Sequence, residues 1–225
     1  MSRTFERFAG ACAGLVALGG VGYAIAFVFT VHSAPRGAAY ASALFLLGGG
    51  LVSMVVMIAL YQRLRSTDPS FALFALLLGV AGALGSSIHG GFDLAVLAKR
   101  PPNSVANFPA NLVDPRGLLT FGFTALALLV LGWLIVRGAL LPRALGYLAF
   151  LGGALLLIVY LGRLIVLNPK SPGLLTAAVI SGFVVSPLWF LWVGWILWRG
   201  QPAIADRSAT VTAGDGPGSA RAEHR

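Results

Sequence analysis

Ser70–Leu97 reads SFALFALLLGVAGALGSSIHGGFDLAVL, and its reading decides the fold. The stretch is apolar over almost 28 positions, longer than the roughly 20 residues that an α-helix needs to cross a hydrocarbon layer of about 30 Å. Near its end it carries His89 and Asp93, an imidazole and a carboxylate four residues apart and therefore on one helix face. No other long apolar run of the chain holds either group, and one later run holds a single cation, Arg163.

The rest of the chain repeats the pattern. Apolar runs cover 8–31, 38–61, 70–97, 117–136, 145–167 and 173–198, separated by short links rich in Arg and Pro. The expected fold class is therefore all-α, an integral membrane bundle of six transmembrane helices within residues 1–199. Open sheets are excluded because lipid cannot satisfy free backbone groups. Residues 200–225 are rich in Ala, Gly, Ser and Thr without an apolar period, and are expected to form a disordered cytoplasmic tail. The first run is too long for the roughly 7–15-residue apolar segment of a cleaved signal peptide, so it reads as a retained helix.

Composition points to the same solvent. Of 225 residues, 58% are hydrophobic and 10% charged, and the mean hydropathy is +0.87. A water-facing surface needs about 25% charged residues. The net charge of +9, from 16 Lys and Arg against 7 Asp and Glu, is scattered between apolar runs. That scatter fits topology signals and contact with anionic lipid, not a nucleic-acid patch. With the N-terminus inside, the inner segments hold ten Lys and Arg and the outer segments five. The count predicts cytoplasmic N- and C-termini in a cell (plasma) membrane. Cys12 stands alone, so it neither closes an internal disulfide nor fits a zinc pattern.

Three readings of the polar residues compete. Both helices start on the cytoplasmic side, so His89, Asp93 and Arg163 reach a similar depth near the outer boundary. They either hold helices three and five together or form a ligand-binding pocket, open to the outside beneath the Pro-rich connection 98–116. An intramembrane Arg needs a partner, less so near the edge, where it can snorkel. His32, at the outer end of the first run, and His89 are weak candidates for a metal or for axial ligation of haem. A zinc hydrolase would need about three protein ligands, and His32, His89 and Asp93 exhaust the supply. No Gly-x-Ser-x-Gly elbow, phosphate loop or Cys pair is present, so no catalytic residue, resident metal or cofactor is assigned and no enzyme activity is expected.

Trp189, Trp192, Trp195 and Trp198 recur every third residue and spread over about half a helix circumference. They read as an aromatic belt at the cytoplasmic interface with one or two rings in the bundle. Pro187 predicts a kink in the last helix. A weak repeat relates the second and third runs to the fourth and fifth, with Pro69 on Pro142, Gly79 on Gly152 and Ala81 on Ala154.

The link Ala59-Leu60-Tyr61-Gln62-Arg63-Leu64-Arg65 before Pro69, and Leu141-Pro142-Arg143-Ala144-Leu145-Gly146 before a Gly- and Leu-rich helix, resemble small bacterial multi-pass proteins grouped as a domain of unknown function. That resemblance covers roughly Phe8 to Trp198. It implies a six-helix membrane fold and brings no functional residues with it. The expected partners are the lipid bilayer, a small-molecule or lipid ligand, or partner membrane proteins. The expected function is to bind, transport or sense such a ligand through His89, Asp93 and Arg163. The alternatives are a haem redox protein using His32 and His89, and a structural membrane subunit.

Overall fold

The structure is a computed structural model that describes residues 1–26, 35–99, 112–138, 140–165 and 172–200. These residues form α1 (Arg3–Ile25), α2 (Pro35–Leu64), α3 (Pro69–Lys99), α4 (Thr124–Gly138), α5 (Arg143–Ile165), α6 (Pro172–Ile180) and α7 (Ser186–Arg199). Short helical turns at Pro115–Gly117 and Leu118–Phe123 lead into α4, and a π-helical turn at Ser181–Val185 joins α6 to α7. Six helical stretches are long and apolar enough to cross a membrane. The fold is all-α, a six-helix bundle of membrane-spanning segments. The expected tail lies outside the described residues.

Side-chain chemistry sets the helix starts. The Ser2 hydroxyl accepts from the Phe5 amide at 3.3 Å and caps α1. The Asp68 carboxylate accepts from the amides of Ser70 and Phe71, each at 3.1 Å, and caps α3. Pro69 occupies the first turn, where its missing N–H costs nothing. Two hydroxyls of α3 bond back to carbonyls: Ser86 donates to Gly82 at 3.1 Å, and Ser87 to Ala83 at 3.0 Å and across to Leu47 of α2 at 3.2 Å.

Where a kink is expected at Pro187, the span carries a π-helical turn. The π-helical turn Ser181–Val185 precedes Ser186, and Pro187 sits in the first turn of α7. A proline lacks the N–H for its i−4 bond and its ring crowds that carbonyl. The wider turn before it accommodates both.

Each span packs chiefly on its neighbours in the chain, and α7 closes the ring against α1. Helices α2 and α3 approach closely because Gly90 lies against the backbone of Ala43 and Leu47. The even number of spans brings both described ends to one face, where an Arg3 guanidinium N–H donates to the Arg199 carbonyl at 3.2 Å. This is the terminal face; the opposite end of the bundle is the distal face.

The interior differs between the two. The apolar core lies in the terminal half, around Val56, Leu60, Leu134, Leu145, Trp189 and Leu197. Toward the distal face the buried apolar cluster shrinks to Val159, Leu174 and Ala177. The sequence accounts for part of the asymmetry, since the distal part of α3 reads GSSIHGGFD. The tryptophans divide as their spacing implies. Trp189 is 2% exposed, whereas Trp195 and Trp198 face outward at 56% and 55%.

Candidate functional site

Tyr23, His89 and Arg163 each follow the first residue of their helix by twenty positions. At about 1.5 Å per residue all three lie about 30 Å from the terminal face. Three antiparallel-linked hairpins thus carry a phenol, an imidazole and a guanidinium to one depth near the distal face.

The organising residue is one that the sequence reading did not single out. Asp114, assigned there to the Pro-rich connection, is 1% exposed. Its Oδ1 accepts from the Leu119 amide at 2.8 Å, and its Oδ2 from the Thr120 amide at 3.1 Å and the Thr120 hydroxyl at 2.6 Å. Its carbonyl accepts from the Gly117 amide at 3.0 Å. The carboxylate therefore caps the fourth span, whose first N–H groups would otherwise lack acceptors. The chain reverses at Arg116 and Gly117, both left-handed with φ of 62° and 79°. That conformation suits Gly117, which has no Cβ to clash.

The same carboxylate faces His89. Asp114 Oδ2 lies 3.4 Å from His89 Nδ1, and Asp93 Oδ2 lies 3.5 Å from His89 Nε2. Both ring nitrogens are directed at carboxylates, and only the imidazolium can donate to both at once. His89 and Asp93 share one face of α3, as their spacing implies. Asp114 ties that face to the start of the fourth span.

Arg163 takes another position. Its guanidinium carbon lies 5.3 Å from the centre of the Phe121 ring, and its Nη1 borders Gly117. The contacts described for Arg163 thus run to the turn that Asp114 anchors rather than to Asp93. Half-buried Tyr23 lies within electrostatic range of both Arg163 and Asp93. The cluster therefore draws on α1, α3, α5 and the turn before α4.

His32 lies outside the described residues, as do residues 100–111 of the connection expected to cover the site. His89, the other residue of the haem alternative, has both ring nitrogens directed at carboxylates. Among the described residues no three His, Cys, Asp or Glu side chains are placed to hold a metal ion. Asp114 was legible in one respect only: Asp-Pro-Arg-Gly before an apolar run is a capping pattern. Its burial against His89 had no sequence signal.

No protein-family profile, no curated protein and no solved structure matches the chain.

Proposed function

We propose that this membrane protein binds a small molecule or lipid through the polar cluster of His89, Asp93 and Arg163, completed by Asp114 and Tyr23. The observation that carries the reading is the pair of carboxylates flanking His89 in a span, with Arg163 at the same depth. Ionisable groups inside a membrane are costly and mark ligand or ion pathways more often than packing. The terminal half is instead filled with apolar side chains, and there Arg63 is matched by Glu6 at 3.0 Å. Asp114 is the structural member of the cluster; His89, Asp93 and Arg163 carry the recognition.

The same reading places the N- and C-termini in the cytoplasm and the cluster toward the outside of a plasma membrane. Its support is the ten Lys and Arg of the two terminal segments and the links between them, against five in the opposite segments. A reporter fused after Arg199 that is active only in the cytoplasm tests the orientation. Binding is tested by screening small solutes and lipids for a rise in melting temperature of the purified chain in detergent, since a ligand of the folded state stabilises it by mass action. A true ligand loses its effect in Asp93→Asn or His89→Gln. A screen in which every stabilising compound acts equally on these variants refutes the reading.

A further inference from the structure

This inference rests on the reading that the distal cluster binds a ligand, and it names the ligand's chemistry. Arg163 is a half-buried cation near the end of a membrane span. Such a group calls for an anionic partner. The two carboxylates of the cluster are committed elsewhere. Asp114 is occupied by two backbone amides, the Thr120 hydroxyl and His89. Asp93 pairs with His89 within α3. Among the described residues, no hydrogen bond or ion pair joins Arg163 to a protein acceptor. What holds it is the face of Phe121, 5.3 Å from the guanidinium carbon.

A guanidinium held over a ring by cation–π attraction still carries a planar fork of N–H donors. That fork matches the two oxygens of a phosphate or carboxylate group. The missing side chain at Gly117 lets the Phe121 ring and Arg163 pack against this turn. A Cβ at Gly117 would collide with the Phe121 ring and stand 3.3 Å from Arg163 Nη1. Lys99 and Arg116 are exposed at the same end of the bundle and add positive potential that draws an anion toward it.

We propose that Arg163, stacked on Phe121 beside Gly117, receives an oxyanion, a phosphate or carboxylate group presented by a lipid headgroup or by a free solute. The depth of the site near the distal boundary suits either source.

The test uses the full chain purified in a maltoside detergent, which carries no phosphate. Melting temperature is followed against inorganic phosphate, against acetate, and against phosphatidylglycerol or phosphatidylcholine added as mixed micelles. Chloride at equal ionic strength is the reference. The expected result is saturable stabilisation beyond chloride. Response to phosphate or acetate identifies a free solute; response to phosphatidylglycerol alone identifies a headgroup. Arg163→Gln should weaken the apparent affinity at least tenfold, and Arg163→Lys should restore only part of it, because an ammonium lacks the fork. Phe121→Leu keeps the charge and removes the platform, so it reports on the site even if Arg163→Gln fails to fold. No stabilisation of the wild type beyond chloride, or stabilisation unchanged in Arg163→Gln and Phe121→Leu, overturns the proposal. A solute whose binding depends on Asp93 but not on Arg163 ends this inference and leaves the preceding reading standing.

Discussion

Replacement of Asp114 by alanine is the sharpest test of how the distal end is built. The substitution removes the acceptor for the amides of Leu119 and Thr120, for the Thr120 hydroxyl and for His89. Loss of a helix cap costs about 1 kcal/mol. Loss of a hydrogen bond to a charged acceptor costs about 1.5–3 kcal/mol, and the Thr120 contact at 2.6 Å is of that kind. Together they give about 3 kcal/mol, or roughly a 150-fold change in the unfolding constant. Asp93→Ala is the control. Its pair with His89 is longer, at 3.5 Å, and partly exposed at 14% and 22% for the two side chains. Its loss leaves the cap of the fourth span intact and should cost less than Asp114→Ala. Asp114→Asn, which retains one acceptor oxygen, should fall between the two. The assay is reversible unfolding in mixed dodecyl sulfate and maltoside micelles, followed by circular dichroism. A loss under about 0.5 kcal/mol for Asp114→Ala, or a larger loss for Asp93→Ala, would show that Asp114 does not anchor the site.

Other substitutions test the terminal half. Glu6 and Arg63 form an ion pair of 3.0 Å with side chains 14% and 6% exposed, so Glu6→Gln should cost about 3 kcal/mol by stranding a buried cation. Combining Glu6→Leu with Arg63→Leu should recover most of that loss in the same unfolding assay. Trp189 has an indole N–H without a partner among the described residues. Trp189→Phe should therefore cost under about 2 kcal/mol, against about 3–5 kcal/mol for Trp189→Ala. At Gly90 a Cβ would meet the Ala43 carbonyl and stand 2.6 Å from the Leu47 amide, whereas at Gly49 nothing lies within 4 Å. Gly90→Ala should thus destabilise by at least about 1 kcal/mol, and Gly49→Ala should be neutral or slightly stabilising; equal effects would refute the close approach of α2 and α3.

The apolar runs were sufficient to read six spans, because a membrane helix satisfies its own backbone and needs only length and hydrophobicity. The same runs placed His89 and Asp93 on one face, since helical periodicity is local. The antiparallel order of the spans also implied that Tyr23 and Arg163 stand at the depth of His89, although the reading used this only for His89 and Arg163. It was less successful at Asp114. That residue sits in a connection with four prolines and three asparagines, and its neighbours in sequence suggest solvent. The reading also treated Arg163 as a partner for Asp93, and depth alone could not separate that from stacking on Phe121.

What the sequence by itself determined is therefore the solvent, the number of helices and the depth of each polar group, because all three follow from composition and a fixed rise per residue. What only the tertiary structure decided is which of those groups face one another. The rotation of each helix about its axis, and the turn at Arg116 and Gly117 that carries Asp114 inward to His89, are set by packing between residues distant in the chain. No local pattern encodes that contact, and so the residue at the centre of the site emerged only when the helices were brought together.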